Sequence, residues 1–417
     1  MKTVSIVGYG RFGKTLHRLL KDDFKITIGT RDNIPEIYQS ETIFYCVPIS
    51  SFNEVIKTHK KYFKDYHVLI DVLSVKEYPA TVFKKHLKNL KTQAILTHPV
   101  FGPDSSKNGF TGLPMVMDRF LSNEQNFNFW KEYFAKKGIS VMELSPEEHD
   151  RLAADSQGVT HFMGRLLEEF KFKPTIIDTL GAKKLHEVMD QTCNDTWELF
   201  LNLQNYNHYT KRMRIQLGKA YDKLYNKLLP KRVDPKHIIY GIQGGIGSFN
   251  EEAINAYTNK RKIKNFRIKY LFTTENVLKN LYEGNIDYGQ FAIQNAVGGV
   301  VQESTHAMSK YKFKIVDEFA ILIRHCLMKR KDIDVQSIDR IMAHPQNFAQ
   351  CKTTMANKYP NLLKESGKGE FIDTAKTARA LSKGKIAKNT AILGPSILAK
   401  LYNFDIIAEN LQDSKEN

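Results

Sequence analysis

One histidine lies in a sequence context that suits acid–base chemistry. The stretch ILTHPVFGPDSSKNG, residues 95–109, begins with an apolar run, and His98 and Pro99 stand where that run ends. A loop rich in Gly, Pro, Asp and Ser follows. Ligands of open α/β folds bind outside the carboxyl ends of parallel strands, so this position suits a general base. The alternative is a strand-to-loop turn with an incidental histidine.

A glycine-rich loop at the start of the sequence has the spacing of a dinucleotide-binding turn. The motif G-x-G-x-x-G at residues 8–13 follows the apolar run KTVSIV and opens an amphipathic stretch. Its glycines permit a tight turn, close approach of the backbone to a pyrophosphate, and helix–strand packing. After the second strand, GTRD places Arg31 where NAD enzymes offer an acid, which favours NADP over NAD. The alternative for Arg31 is a solvated turn arginine. The predicted cofactor-binding residues are Gly8, Gly10, Arg11, Phe12, Gly13 and Arg31.

Composition limits the classes of protein to which the chain can belong. Its 417 residues allow two or three domains, and a hydrophobic content of 42% indicates a folded protein. The sequence shows no signal-peptide pattern and no apolar run of the roughly 18 residues that a membrane span needs. The four cysteines lack metal-ligand or redox spacing. We therefore expect a cytoplasmic protein with no metal and no membrane partner.

The net charge of +17 admits two interpretations. A strongly basic chain can bind nucleic acid. Here, however, the lysines are spread among acidic residues, and no nucleic-acid-binding signature is present. Attraction of anionic small molecules such as NADP and dicarboxylates fits the same charge. We expect no nucleic acid partner.

Alternating apolar runs and helical patterns predict an α/β protein with a helical middle region. Residues 1–145 alternate strand and helix, which is typical of a Rossmann-type doubly wound parallel sheet. Residues 146–229 are helical throughout, and residues 230–237, with prolines and charges, form a linker. A strand, a glycine loop and a helix then restart the alternation, so residues 238–417 form a further α/β domain.

Four motifs, in order along the chain, resemble the prephenate and arogenate dehydrogenases of tyrosine biosynthesis. They are the glycine loop, IDVLSVK at 70–76, THPVFGPDS at 97–105, and PEEHD at 146–150 with the positions that follow it. The resemblance covers residues 1–229 and is especially close to the plant-type arogenate dehydrogenases. It implies oxidative decarboxylation of arogenate or prephenate, with His98 as the base that takes the ring-hydroxyl proton. Ser74 would hydrogen-bond that hydroxyl or orient His98; a helix N-cap is the alternative.

The same resemblance suggests which residues face the substrate. His161 matches the family's substrate-side histidine, whereas His149, twelve residues earlier, would lie about 120° away on a continuous helix. Asp104 could pair with the ammonium group of arogenate or cap its own loop. The stretch LHEVMDQTCNDTW, 185–197, lacks the arginine with which some prephenate-using members hold the ring carboxylate, which argues against strict prephenate use. The predicted substrate-binding residues are His161, Asp104, Lys76 and Gln157.

The second half of the chain resembles the prephenate and arogenate dehydratases. The motifs are IQGGIGSFNE at 242–251, AIQNAVGG at 292–299, AHPQ at 343–346 and DTA at 373–375. The resemblance implies two α/β lobes, as in periplasmic binding proteins, with the site in the cleft between them. The predicted cleft residues are Gly247, Ser248, Asn295, His344 and Gln346.

Some positions depart from the dehydratase pattern. Gln294 and Ala296 stand where the family has Glu and Ser, and Ala343 stands where it has Ser. The family's Thr-Arg-Phe motif, with its catalytic threonine, and its ACT domain do not occur in this sequence: either the sequence stops before them, or the domain no longer dehydrates and only binds. The domain could therefore be impaired and sense an aromatic amino acid, or the chain could be a bifunctional enzyme of both the tyrosine and the phenylalanine branch. A third hypothesis makes the whole chain a basic RNA-associated protein with an inherited dehydrogenase fold. The expected assembly is a homodimer.

Overall fold

The computed structural model describes residues 2–295, 299–367 and 373–414. Contacts divide the chain into two compact units, Met1–Lys223 and Leu224–Asn417. The predicted Rossmann domain and most of the predicted helical domain lie in the first unit, and the dehydratase-like region lies in the second. Within the described ranges, every helix is too short or too polar to pass through a lipid bilayer.

A seven-stranded sheet forms the centre of the first unit. Its strands are β1 (Thr3–Val7), β2 (Lys25–Gly29), β3 (Thr42–Tyr45), β4 (Val68–Asp71), β5 (Gln93–Pro99), β6 (Pro114–Asp118) and β7 (Ser140–Glu143). Their order is β2-β1-β3-β4-β5-β6-β7. The first five run parallel, β6 is antiparallel to β5, and β7 runs parallel to β6. The predicted doubly wound sheet is confirmed, with an antiparallel pair added at one edge.

Helices cover both faces of this sheet. They are α1 (Arg11–Leu20), α2 (Ile34–Ile37), α3 (Ile49–His59), α4 (Glu77–Leu87) and α5 (Glu124–Lys136). Successive strand residues point to opposite faces, so two apolar cores form. Ile43 and Tyr45 of β3 pack in one core with Phe52 and Phe83, whereas Phe44 packs in the other with Trp130. Because both faces are covered, the carboxyl ends of the strands are the open edge of the sheet.

A helical region follows the sheet, and one turn of it is unusually wide. The helices are α6 (Pro146–Ala153), α7 (Val159–Glu169), α8 (Leu180–Cys193), α9 (Trp197–Tyr206) and α10 (Tyr209–Leu228). The α6 helix begins at Ser145, whose hydroxyl accepts the backbone N–H of Glu148 at 3.3 Å. Residues Ala154–Gly158 form a π-helical turn between α6 and α7. Such turns are rare and frequently mark functional sites.

The second unit contains two main sheets, as the predicted two-lobed fold requires. The first comprises β8 (Ile238–Ile242), β9 (Phe266–Tyr270) and β10 (Tyr288–Gln290), all parallel in the order β10-β8-β9. A short antiparallel ribbon joins β11 (Gln294–Asn295) to β12 (Gly299–Val300). The second main sheet comprises β13 (Cys326–Arg330), β14 (Arg340–Met342), β15 (Leu363–Glu365), β16 (Thr390–Gly394) and β17 (Phe404–Ala408), in the order β15-β14-β16-β13-β17.

Helices surround both sheets of the second unit. They are α11 (Phe249–Lys260), α12 (Thr274–Tyr282), α13 (Gln302–Met308), α14 (Pro345–Gln350), α15 (Lys352–Lys358), α16 (Thr374–Ser382) and α17 (Ile397–Tyr402). The five-stranded sheet carries one apolar core on each face, around Met328 and Ile392 on one side and around Leu327 and Leu393 on the other. The predicted linker, residues 230–237, contains neither helix nor strand.

Candidate active site

The glycine loop between β1 and α1 has the geometry of a phosphate cradle. Gly8 has a positive φ of 94°, and a β-carbon there would lie 2.5 Å from the carbonyl oxygen of Cys46. A β-carbon on Gly13 would overlap the carbonyl oxygen of Gly8. At Gly10, by contrast, an added β-carbon would meet no described atom within 4 Å. The first and third glycines are thus required by packing, and the second leaves open space at the start of α1, which fits a dinucleotide pyrophosphate.

This contrast gives a matched pair of glycine substitutions. We expect Gly13→Ala to lower the free energy of unfolding by roughly 1–3 kcal/mol, as overpacking of a close contact does. Gly10→Ala should leave thermal stability unchanged but weaken dinucleotide binding, because its methyl group enters the open space. Thermal unfolding and calorimetric titration with NADP and NAD measure the two effects. A Gly10→Ala protein that binds both dinucleotides as well as the unmutated protein would show that this loop is not the cradle.

Phe12 and Arg11, also predicted to bind cofactor, are placed differently from each other. The ring of Phe12 packs inward, 6.2 Å from the ring of Phe101, so its side chain belongs to the core, and only its backbone faces the loop. Arg11 is half exposed at the first position of α1. Its guanidinium donates to Asp104 at 2.9 Å and to Asp195 at 3.2 Å. Asp104, for which the sequence suggests a contact with a substrate ammonium group, is paired with Arg11 in this structure, so that contact stays a prediction.

Arg31 lies at the exposed tip of the turn after β2. Asn33 holds that turn: its side-chain oxygen accepts the Thr30 N–H at 2.7 Å, and its amide donates to the Ile28 carbonyl at 3.0 Å. Arg31 forms no ion pair with any residue that the structure describes. Its guanidinium is thus available to an anion at the end of β2.

A buried hydrogen-bond relay connects His98 to an aspartate. His98 lies near the end of β5 and is 3% exposed. Its Nδ1 is 2.7 Å from Nε2 of His149, and Nδ1 of His149 is 2.8 Å from the carboxylate of Asp150. The same carboxylate accepts the backbone N–H groups of Lys76 and Glu77, at 2.7 and 3.0 Å. The sequence contained this signal in the PEEHD motif, but His149 and Asp150 were not predicted as site residues.

The relay determines which nitrogen of His98 carries a proton. Because the Asp150 carboxylate accepts hydrogen bonds, Nδ1 of His149 is the donor to it. A neutral His149 then has an unprotonated Nε2, which accepts the Nδ1–H of His98. Nε2 of His98 is consequently unprotonated and is the nitrogen that can receive a proton. An aspartate orients and supports a basic imidazole in the same way in serine hydrolases.

Burial keeps this pair of imidazoles neutral. It is the largest cause that lowers the pKa of His98 well below its usual value. The charges of His149, Lys76 and His161 lower it further. Burial also lowers the pKa of His149, against the opposing effect of the Asp150 carboxylate. His98 is therefore in its basic form at neutral pH.

Lys76 is buried and binds other residues of the protein rather than facing a substrate. Its side chain is 1% exposed, and its ammonium group pairs with Asp71 and donates to the carbonyl oxygen of Thr97. Asp71 in turn accepts the backbone N–H of Thr97 at 3.2 Å. The prediction of Lys76 as a substrate-binding residue is therefore corrected. This buried ion pair ties the end of β4 to the residue before His98.

Three buried polar atoms at the predicted substrate side have no hydrogen-bond partner among the described residues. They are Ser74 Oγ, Gln157 Oε1 and His161 Nδ1. Buried polar groups in native proteins are nearly always paired, so such a group points to a missing ligand or water. Ser74 forms no hydrogen bond with His98, so the His98 ring is oriented by its hydrogen bond with His149. Ser74, Gln157 and His161 thus each have a buried polar atom available to a polar ligand.

The π-helical turn explains why His161 lies near His98. On a continuous α-helix His161 would be turned about 120° away from His149. The wide turn at Ala154–Gly158 accommodates an extra residue, which removes about 100° of that rotation. His161 consequently lies close enough for its charge to lower the pKa of His98. The expected separation of about 120° applies to a continuous α-helix, and the π-helical turn makes this segment depart from one.

In the second unit, the predicted cleft residues mostly occupy loop and helix-cap positions. Gly247 has a φ of 82°, and Ser248 caps α11 by accepting the N–H of Glu251 at 3.3 Å. His344 caps α14, since its Nδ1 accepts the N–H of Gln346 at 3.2 Å. Asn295 lies in the ribbon of β11 and β12. Thr374, part of the DTA motif but not among the predicted cleft residues, accepts hydrogen bonds at its hydroxyl from the His344 backbone N–H at 3.1 Å and from the Asn347 amide at 3.2 Å.

The departures from the dehydratase pattern have different surroundings. Ala343 is 3% exposed and packs in an apolar core, directly before His344. Gln294 is exposed at the start of β11. Ala296 lies outside the described residues. At Ala343, then, an apolar methyl group stands beside the cap of α14.

A Rossmann sheet and a glycine loop with the geometry of a phosphate cradle define the first unit as the dinucleotide-binding part of a nicotinamide-dependent dehydrogenase. Residues 3–143 match the family model "Prephenate dehydrogenase, nucleotide-binding domain", residues 166–237 match "TYRAAT1-like, C-terminal domain", and residues 240–417 match "Prephenate dehydratase". Arogenate dehydrogenase 2, chloroplastic, of Arabidopsis thaliana is 30% identical over 249 residues, which is 54% of this chain and 69% of that protein. The chain belongs to the arogenate dehydrogenase family, and it joins a prephenate dehydratase domain to it.

Two further relatives bear on the two halves. The bifunctional chorismate mutase/prephenate dehydratase of Buchnera aphidicola subsp. Schizaphis graminum is 26% identical over 223 residues, 52% of this chain, and the chain spans only 55% of its length. A solved prephenate dehydrogenase from A. aeolicus, in complex with hydroxyphenyl propionate and NAD+, is 17% identical with a TM-score of 0.44. It covers 63% of this chain, and the match includes 96% of the solved chain.

Proposed function

We propose that the first unit oxidises arogenate or prephenate with a nicotinamide dinucleotide, NADP in preference to NAD, and that the reaction serves tyrosine biosynthesis. The observation that carries the proposal is the His98–His149–Asp150 relay at the open edge of a Rossmann sheet. A neutral imidazole there suits removal of a hydroxyl proton near neutral pH. Family membership and the orphaned polar atoms around His98 support the same reaction.

The substrate is a cyclohexadiene that carries a hydroxyl group at C4 and a carboxylate at C1. A bound nicotinamide supplies the acceptor for the hydride that leaves C4. His98 Nε2 takes the hydroxyl proton as the carbonyl forms, and the relay to Asp150 stabilises the resulting imidazolium. The C1–carboxylate bond then breaks, its electron pair enters the ring, and carbon dioxide departs. His98 can return its proton to the phenolate oxygen, so protons and electrons balance.

The polar atoms without partners would hold this substrate in place. Ser74 is positioned three residues beyond β4, and its hydroxyl would bond the C4 hydroxyl group. An N–H group at His161 Nδ1 would donate to a substrate carboxylate, and Gln157 Oε1 would accept a hydrogen bond from a hydroxyl or ammonium group. Fixing the reacting carbon against the cofactor is worth several orders of magnitude in rate. To test the proposal, purified protein is given arogenate or prephenate with each dinucleotide, and reduction of the cofactor is followed by its absorbance. Absence of reduction with both substrates would refute it.

The preference for NADP gives a further prediction. We expect the unmutated protein to prefer NADP, and Arg31→Ala to weaken NADP binding alone. A charge-assisted hydrogen bond is worth about 1.5–3 kcal/mol, so the preference should fall roughly tenfold or more. Binding constants for both dinucleotides measure the change. Asp32→Asn is the matched control at the same turn: removing a negative charge there should keep or increase the preference. Equal affinity of the unmutated protein for NAD and NADP would contradict the assignment.

For the second unit we infer a dehydratase fold whose dehydratase chemistry is impaired. The buried methyl group of Ala343 beside His344 supports this inference. A carboxylate ligand could still bind at Asn295, His344 and Gln346, although the backbone N–H groups of Gly244, Gly247 and Ser248 in the nearby glycine loop already donate within the protein. An aromatic amino acid or its precursor is the ligand class that this domain would sense. The second candidate is a bifunctional enzyme, which the family match over residues 240–417 favours.

A further inference from the structure

Arg11 connects the dinucleotide loop to two carboxylates that belong to different parts of the first unit. Asp104 lies in the loop after β5, and Asp195 lies between α8 and α9. One arm of the guanidinium donates to Asp104 at 2.9 Å, and the other donates to Asp195 at 3.2 Å and to the Asn194 carbonyl at 3.1 Å. The side chains of Arg11 and Asp104 are 48% and 58% exposed. Exposed ion pairs of this kind are weak, so they can be exchanged for a stronger partner.

The position of Arg11 supplies that stronger partner. Arg11 is the first residue of α1 and directly follows Gly10, which borders the open space of the phosphate cradle. A pyrophosphate at a helix N-terminus lies within reach of the side chains of the first turn. Arginine binds phosphate through short, charge-assisted hydrogen bonds that are stronger than exposed carboxylate pairs. Two sets of anions therefore compete for Arg11: the carboxylates of Asp104 and Asp195, and the phosphates of a bound dinucleotide.

Asp195 differs from Asp104 because its charge also affects His161, which we propose binds the substrate. Its backbone carbonyl accepts a hydrogen bond from Arg165 at 2.5 Å, and Arg165 is 7% exposed and lies over the ring of Trp197. Asp195 is thus fixed in place beside α7. Burial lowers the pKa of His161, the carboxylate of Asp195 opposes that effect, and the charge of Arg165 adds to it. The charge of His161 in turn lowers the pKa of His98.

We propose that Arg11 is an exchange residue: it pairs with Asp104 and Asp195 when the dinucleotide is absent, and turns to the phosphates when the dinucleotide binds, which strengthens binding of the anionic substrate beside His161. The inference rests on the proposed function. When Arg11 leaves, the Asp195 charge is no longer neutralised. It then raises the pKa of His161, so the imidazole stays protonated to higher pH and attracts the substrate carboxylate.

The test measures binding of 4-hydroxyphenylpyruvate, the decarboxylated product of prephenate oxidation, by calorimetry with and without NADP. With the oxidised dinucleotide this product is not turned over, and it carries no ammonium group, so a contact with Asp104 does not enter. We expect the unmutated protein to bind it roughly fivefold or more tightly when NADP is bound, within the usual range of coupling between sites. The pH at which binding weakens should be higher in the presence of NADP.

Three variants separate exchange from a merely structural role. Arg11→Gln should bind the product tightly even without NADP, because Asp195 is permanently released. Asp195→Asn should bind it weakly in both conditions, and its binding should weaken at a lower pH. Asp104→Asn, which removes the other partner of the same guanidinium, should keep the coupling of the unmutated protein.

The outcomes distinguish the exchange from the function on which it rests. If unmutated protein binds both ligands but independently of each other, the exchange is refuted and the dehydrogenase assignment stands. Equal loss of coupling in Asp104→Asn and Asp195→Asn would likewise refute the selective role of Asp195. Unmutated protein that binds neither NADP nor NAD would refute the proposed function itself.

Discussion

Replacing His98 with asparagine is expected to lower kcat by about 10²–10⁴-fold, which is the range that a general base contributes. Asparagine is chosen because its amide can still donate to Nε2 of His149, as His98 does at 2.7 Å. The buried relay then remains filled, and only the proton-accepting nitrogen is lost. Steady-state kinetics with either substrate measure the change, and dinucleotide affinity should stay close to that of the unmutated protein.

His149→Gln is the matched control for this substitution. It leaves Nε2 of His98 in place but removes the link to the Asp150 carboxylate, 2.8 Å from His149. We expect its kcat to lie between those of the unmutated protein and of His98→Asn, because the base is present but no longer held in one tautomer. Turnover near the unmutated level in His98→Asn would remove this residue from the mechanism.

The pH dependence of the unmutated enzyme provides a second check on His98. The base must be unprotonated to act, and burial lowers its pKa below the usual value of 6.5. Activity should therefore persist as the pH falls through 6.5 and decline only at lower values. A midpoint for the acid limb of kcat/KM at or above 6.5 would show that another group limits the reaction.

Local sequence signals predicted the parts of the fold that depend on short-range geometry. The spacing of Gly8, Gly10 and Gly13 is set by one turn of backbone, so a motif of six residues specifies it. Alternating strand and helix patterns likewise identify a doubly wound sheet, and in such a sheet residues just beyond adjacent strands lie at one edge. That rule placed Ser74 and His98 at the same edge without knowledge of the structure.

Other features depend on partners that sequence spacing does not reveal. Lys76 lies in a motif that also carries Ser74, but its long side chain runs under the sheet edge to Asp71. Asp104 meets Arg11, which is 93 residues away in the chain. The π-helical turn before His161 changes the helical angle, and a rule of 3.6 residues per turn cannot anticipate it. These are tertiary effects, in which one contact decides which way a side chain points.

The second unit must deliver a proton to a departing hydroxyl group if it is a dehydratase. Two carboxylates near its glycine loop accept hydrogen bonds within the protein. Glu251 accepts from the N–H of Gly247 and from the hydroxyl of Tyr270, both at 2.5 Å. Glu303 accepts from the N–H of Thr274 at 2.8 Å and from the amide of Gln243 at 2.9 Å.

Because the buried methyl group of Ala343 beside His344 has no proton to give, we expect this 417-residue chain to reduce NADP but to form phenylpyruvate or phenylalanine at a rate lower by roughly 10² or more, the cost of a missing general acid. Both products can be measured on one preparation, so the dehydrogenase rate is the internal control for folding. Dehydratase rates comparable to cofactor reduction would show that the proton donor is present.

Thr374 would then be the first group to test, because its hydroxyl accepts two hydrogen bonds beside His344 and still has a proton to donate. Thr374→Val, which keeps the shape and removes that proton, should abolish the dehydratase rate and spare the dehydrogenase rate.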